Sequence, residues 1–202
     1  MTFTLKILIF SVTIAENNLI GVLPFLYQQM SVKFSLYLND WSHINHNRDG
    51  QTVFRMTDVA DPEYSEDWGQ TDEESGRRIP FIQIVKNGEL SVHRDLGRKT
   101  NYNYHYKDVP LSLKQWHDLF LKMEYTNNGQ FLWQIHLNNK LIHQIIDSEP
   151  KTYTNVNVYA VSGIVKYPVA NGKIRNLQII TGQVFFLVNI PILISCLGRQ
   201  TL

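Results

Sequence analysis

The sequence predicts an all-β protein, an antiparallel sandwich of two sheets. The first observation is that apolar and polar residues alternate through 116–125 and 131–137, on either side of Asn127, Asn128 and Gly129. Period-two alternation is typical of half-buried strands, and Asn and Gly tolerate the backbone of a tight turn. The second is that roughly ten such segments recur with Asn, Gly and Pro between them, while almost nothing has helical periodicity.

The remaining strands are predicted by the same alternation and by turn residues. Asn87-Gly88 and Asn138-Asn139 each predict a hairpin turn. The predicted strands are 17–24, 31–38, 51–56, 79–85, 90–93, 101–106, 116–125, 131–137, 141–146, 156–161 and 174–180. The residues predicted to share one face of the central hairpin are Leu119, Leu121, Met123 and Tyr125, then Phe131, Trp133, Ile135 and Leu137.

Residues 1–15 are predicted to be a secretory signal peptide. Lys6 precedes the apolar stretch 7–14, and Ala15 offers a small residue before a cut at Glu16. The alternative is a first buried strand beginning at Thr4. The signal predicts an extracellular, secreted protein.

The rest of the chain divides into a predicted sandwich domain, 16–181, and an apolar tail, 182–202. The apolar stretch 184–197 is interrupted by Asn189 and Pro191. A spanning helix needs about 20 apolar residues, so we predict no membrane span and keep an extra strand as an alternative.

Composition excludes several classes of function. The net charge of +1 gives no overall field that would attract nucleic acid or an anionic membrane. The single cysteine, Cys196, excludes an intrachain disulfide. We therefore predict neither a nucleic-acid partner nor a disulfide-stapled fold.

Several motifs carry a resemblance to a known superfamily. Trp116 opens a strand, Gly129 lies in the following turn, and the next strand ends at Asn138-Asn139. A later segment, 172–177, reads Gly-Lys-Ile-Arg-Asn-Leu. These features resemble the concanavalin A-like lectin/glucanase superfamily, and in particular laminin G-like domains.

A narrower resemblance is to single-domain invertebrate proteins of this superfamily. It is carried by the segments 76–80, 101–104, 110–116 and 155–159, and it spans residues 17–181. The chain departs from the pattern at Asn139, where glycine is usual, and the acidic stretch 58–76 has no match.

The resemblance implies a jelly-roll sandwich that serves as a binding or adhesion module. The ligand would be a carbohydrate, including glycans of matrix or cell surfaces, or else an extracellular protein, bound by rim loops. A structural domain from a larger ectodomain protein is a further alternative.

The competing class is a glycoside hydrolase of the glucanase branch. Retaining hydrolysis needs two carboxyl groups about 5–5.5 Å apart, which the glucanase branch carries at alternating positions of one strand. In this chain Glu66-Asp67 and Glu73-Glu74 are adjacent pairs, whose side chains would point in opposite directions on an extended backbone. We therefore predict no enzymatic activity.

The acidic stretch is a candidate calcium loop. Calcium takes six to eight oxygen ligands in flexible loops, and the resemblance to laminin G modules implies such an ion at one rim. The candidate ligands are Asp58, Asp61 and Glu63, with Asp67 or else Asp72 as a further ligand. The alternative is a solvated acidic loop, partly paired with Arg77 and Arg78.

Aromatic residues near the loops are the candidate ligand contacts. Trp68, Tyr64 and Tyr167 are predicted to lie on loops, where their rings could stack on sugars. Tyr102, Tyr104 and Tyr106 alternate along one strand and are expected to form an aromatic stripe of the core instead. The histidines show no zinc-ligand spacing, and a surface role is expected for His43, His46, His136 and His143.

Overall fold

The structure, a computed structural model, describes residues 4–15, 18–40, 50–58, 78–85, 88–96, 99–160 and 170–182. Within them the chain forms twelve strands. These are β1 (Thr4–Thr13), β2 (Leu19–Leu26), β3 (Gln29–Leu38), β4 (Gln51–Thr57), β5 (Phe81–Ile84), β6 (Leu90–Leu96), β7 (Lys99–Tyr106), β8 (Trp116–Tyr125), β9 (Phe131–Leu137), β10 (Lys140–Asp147), β11 (Tyr153–Tyr159) and β12 (Gly172–Gly182).

The strands form two six-stranded sheets. Sheet A has the order β1-β12-β3-β8-β9-β10, and sheet B has the order β2-β11-β4-β5-β6-β7. Every pairing is antiparallel. The predicted antiparallel two-sheet sandwich is confirmed.

The central hairpin, β8 and β9, presents the predicted face to the core. Leu121 and Ile135 lie opposite each other and are fully buried, and Trp133 is 1% exposed. Each large apolar side chain buried in this way stabilises the fold by about 1.5–3 kcal/mol. From sheet A, Phe34 meets Phe54 of sheet B at 5.3 Å between ring centroids. The apolar faces of the two sheets therefore close over one core.

Two asparagines with positive φ and one glycine without room for a Cβ atom set two of the connections. Asn138 and Asn139 both have positive φ, 49° and 65°, which matches the two-residue turn that suits a twisted hairpin. Gly172 begins β12 so close to the Tyr37 carbonyl oxygen that a Cβ atom would overlap it. Any larger residue at Gly172 would push β12 away from β3.

The two N-terminal strands are edge strands, and each comes first in the strand order of its sheet. Among the described strands, β1 pairs with β12 alone and β2 pairs with β11 alone. Pro24 is compatible with β2 because an edge strand leaves some N–H groups unpaired. In the full chain residues 4–13 thus form a strand, while removal of residues 1–15 as a signal peptide stays a prediction. Leu8 and Phe10 of β1 are 53% and 87% exposed.

The charged side chain of Arg94 is buried inside the sandwich. The Cζ atom of Arg94 lies 4.4 Å from the Trp133 ring centroid, and its Nη1 donates to the Met30 sulfur at 3.3 Å. Burial lowers the pKa of Arg94, while Tyr153, Asp147 and other neighbouring groups act to raise it. The guanidinium is accommodated because an aromatic face attracts a cation.

Within the described part of the chain, no helix has the length and apolar character that crossing a membrane requires.

Candidate functional site

The candidate site is the face of sheet B that points away from the core. Ile82 and Ile84 of β5 and Val92 of β6 belong to the core cluster. Successive residues of a strand point to opposite faces. Phe81, Gln83, Ser91 and His93 must therefore project outward.

A row of side chains crosses this outer face from strand to strand. Tyr159 of β11 pairs with Arg55 of β4, Arg55 with Phe81 of β5, Phe81 with His93 of β6, and His93 with Asn103 of β7. We call these five residues the cross-strand row. Directly opposite residues of paired strands have Cβ atoms about 4.5–5.5 Å apart. The row therefore brings a guanidinium, an imidazole, an amide and two aromatic rings together.

The accessible part of the cross-strand row lies at its β7 end. Tyr159, Arg55, Phe81 and His93 are each less than 9% exposed, whereas Asn103 is exposed. His105, two residues further along β7, is exposed as well. A ligand would therefore first meet the side chains of β7.

A chain of hydrogen bonds links the buried part of this face to the exposed part. Nη1 of Arg78 donates to His93 Nδ1 at 3.2 Å. Ser91 Oγ lies 2.9 Å from His93 Nε2 and donates to Asn103 Oδ1 at 3.0 Å. Asn103 Nδ2 lies 2.7 Å from His105 Nε2.

The direction of each bond in this chain follows from the first donor. A guanidinium only donates, so His93 Nδ1 accepts and Nε2 of the neutral ring carries the proton. His93 Nε2 then donates to Ser91, Ser91 donates to Asn103, and Asn103 donates to His105 Nε2. The proton of the neutral His105 ring is therefore on Nδ1.

This polarity does not suit nucleophilic catalysis by Ser91. A general base must accept the proton of the nucleophile, but here His93 Nε2 already holds a proton and donates it to Ser91. The Ser91 hydroxyl proton is directed to the Asn103 amide oxygen instead. The arrangement orients polar groups rather than activating one of them.

Two aromatic contacts flank the hydrogen-bonded chain. Phe81 and His93 have ring centroids 5.3 Å apart, and Arg78 Cζ lies 5.8 Å from the Phe81 centroid. The rings of His93 and His105 meet edge to face at 6.3 Å. These contacts hold the imidazoles in place.

Most of the site residues predicted from the sequence lie outside the described residues. Asp61, Glu63, Asp67, Tyr64, Trp68 and Tyr167 all do so. Asp58 is described, is half-buried and directly follows β4. Among the described residues, no group of three or more His, Cys, Asp or Glu side chains is placed to hold a metal ion. The calcium loop and the loop aromatics stay predictions.

The tyrosine stripe of β7 packs against the core as predicted, and it includes a histidine whose place was not foreseen. Tyr106 is buried, while Tyr102 and Tyr104 are half-buried against the core. His143 stacks on Tyr104 at 4.1 Å, and its Nε2 lies 2.9 Å from the Tyr102 hydroxyl. Burial lowers the pKa of His143 and raises that of Tyr102. His143 thus joins the open edges of the two sheets rather than serving on the surface.

The outer face of sheet A also carries an aromatic pair, but a cation covers it. Tyr37 and Trp116 have ring centroids 5.2 Å apart, and Arg175 Cζ lies 3.8 Å from the Trp116 ring centroid. The guanidinium stacks on one face of the indole, where it would compete with a sugar ring. Sheet A therefore offers a less open platform than the β7 end of sheet B.

Comparison with known proteins identifies the fold. No protein-family model matches the chain, and no curated protein matches it in sequence. A SAP-like pentraxin from Limulus polyphemus superposes with a TM-score of 0.52 at 11% identity, covering 84% of this chain and 74% of the pentraxin. The CBM40 module of the Ruminococcus gnavus IT-sialidase, solved with α2,3-sialyllactose, gives 0.52 at 13% identity, covering 90% and 93%.

The chain has a concanavalin A-like fold. The expected superfamily architecture is therefore confirmed at the level of fold. At these identities the similarity extends to the arrangement of strands alone, so the narrower laminin G-like assignment stays a prediction. The ligand of sheet B therefore depends on its own side chains.

Proposed function

We propose that the chain is a non-catalytic, extracellular binding module that recognises carbohydrate on the outer face of sheet B, at its β7 end. The observation that carries the proposal is the directed hydrogen-bonded chain, which fixes Asn103 and His105 where they are exposed. A few oriented polar groups beside aromatic side chains are typical of small-molecule sites. The R. gnavus module of the same fold, solved with sialyllactose, supports a sugar as ligand.

Preorganisation is the physical reason why this face suits a weakly binding, hydroxyl-rich ligand. A sugar forms many modest hydrogen bonds, and each protein side chain that must be ordered on binding costs about 0.5–1.5 kcal/mol. Ser91 and His93 already hold Asn103 and His105. Binding therefore loses little side-chain entropy.

We propose further ligand contacts from loop residues, most of which lie outside the described part of the chain. Trp68, Tyr64 and Tyr167 would stack on sugar rings, and Asp58, Asp61, Glu63 and Asp67 would hold calcium. Loops on a rigid sandwich commonly carry recognition. These contributions extend the proposal and are tested separately from it.

A glycan-array screen followed by calorimetry tests the proposal. We expect the wild-type chain to bind a subset of glycans, and His105→Ala to weaken that binding at least tenfold. His136→Ala is the matched control. His136 faces outward on sheet A beside Phe120, so this variant should bind the same glycans as the wild type. The screen is repeated with a calcium chelator to test the loop. Silence across the array, or equal loss in both variants, would contradict the proposed site.

A further inference from the structure

The hydrogen-bonding groups that the β7 end leaves available are donors. His105 Nε2 accepts from Asn103, so its Nδ1–H points to a partner that the described residues do not supply. The amide nitrogen of Asn103 gives one proton to His105 and retains a second. Its oxygen already accepts from Ser91. At the exposed end of this hydrogen-bonded chain, a ligand would therefore have to supply hydrogen-bond acceptors.

A further donor on the same face of sheet B belongs to Gln83 of β5. Gln83 pairs with Ser91 across β5 and β6 and is 5% exposed. Its Nε2 is buried and has no hydrogen-bond partner among the described residues. An unpaired buried donor is unfavourable, but this nitrogen is buried, so the donors that a ligand meets are those of Asn103 and His105.

An acidic sugar fits this set of donors best. A carboxylate only accepts, and its two oxygens can take hydrogen bonds from two neighbouring N–H groups. Hydrogen bonds to an ionised acceptor are roughly twice as strong as those between neutral groups. A neutral sugar hydroxyl also carries an O–H donor, which would find no acceptor on Asn103 or His105.

We infer that the ligand is a carboxylate-bearing sugar whose carboxylate accepts hydrogen bonds from Asn103 and His105. The inference rests on the proposed function and makes it narrower, since it commits the site to uronic or sialic acid residues over their neutral counterparts. The hydrogen-bonded chain beginning at Arg78 sets this preference, because it fixes which atoms of Asn103 and His105 remain to donate.

Two matched ligand pairs test the inference by calorimetry. Methyl glucuronide and methyl glucoside differ at C6, and sialyllactose and lactose differ by one acidic residue. We expect at least one acidic member to bind about tenfold more tightly than its neutral partner, with the difference shrinking as salt is raised. Equal affinities within both pairs would overturn the inference but leave the proposed function standing. If no member of either pair binds and the glycan array is silent, the proposed function fails with it.

Asn103→Asp is the variant that tests the preference for an acidic sugar most directly. The new carboxylate keeps the shape of the side chain and the acceptor for Ser91, but it removes both amide protons and adds a negative charge. We expect it to abolish the preference for the acidic sugar while retaining binding of the neutral one. Asn128→Asp, at an exposed turn position of the β8–β9 hairpin, is the control and should keep the preference. Preserved preference in Asn103→Asp, with urea unfolding unchanged, would contradict the inference.

Discussion

Ser91→Ala tests the hydrogen-bonded chain at its centre. Ser91 is fully buried, accepts from His93 Nε2 and donates to Asn103 Oδ1. The substitution removes the hydroxyl that accepts from the buried His93 Nε2, and losing the partner of a buried polar group costs about 1–3 kcal/mol of the free energy of unfolding. It also releases Asn103 from the orientation that the proposed ligand requires.

Urea unfolding followed by tryptophan fluorescence measures the first effect. With a slope of about 2 kcal/mol per molar urea, a loss of 2 kcal/mol lowers the unfolding midpoint by about 1 M. Ser35→Ala is the matched control, since Ser35 is 6% exposed and donates to Asp118 Oδ1 at 2.7 Å on the opposite sheet. Both variants should lose stability, but Ser91→Ala alone should lose glycan affinity. An unchanged midpoint and unchanged affinity in Ser91→Ala would refute the assigned chain of bonds.

Three further predictions concern other parts of the molecule. Because the folded-state pKa of His143 lies below its unfolded value, the unfolded chain binds more protons between the two values. The free energy of unfolding should therefore fall as pH drops below about 6.5, and it should fall less in His143→Gln. Identical urea midpoints for the wild type at pH 5 and pH 7.5 would contradict this prediction. Mass spectrometry of the secreted protein should show Glu16 as the first residue, and retention of residues 1–15 would instead favour β1 as part of the mature fold. Calcium should raise the thermal midpoint of the wild type, because a ligand of the folded state stabilises that state. It should raise the midpoint of Asp58→Asn less. Equal midpoints of the wild type in calcium and in chelator would exclude the loop site.

Local alternation was sufficient to predict the sandwich but not the site. The inward faces of β8 and β9 follow from period two alone, as Leu121 and Ile135 show. The cross-strand row instead joins Tyr159 to Arg55 and Asn103, residues far apart in the sequence. They meet because the strand order of sheet B places β11, β4, β5, β6 and β7 side by side. No local pattern encodes that order, although the alternating Ser91, His93 and Asp95 were a signal of a polar outer face.

Two residues show where a periodic pattern needs further information. Arg94 falls on the inward face that period two assigns to it, against the preference of a charge for water, and the Trp133 ring accommodates it. His143 was expected at the surface, but β10 has a register shift between Leu141 and His143 that turns the ring toward Tyr104. A bulge inserts one residue and reverses the faces beyond it. Its position cannot be read from alternation.

A backbone amide NMR titration with the acidic sugar that binds most tightly tests the central claim most directly. We predict chemical-shift changes concentrated on β6 and β7 around Ser91, Asn103 and His105, with a new hydrogen-bonded signal from the His105 Nδ1–H. Shifts concentrated instead on the outer face of sheet A, around Tyr37 and Trp116, would contradict the account.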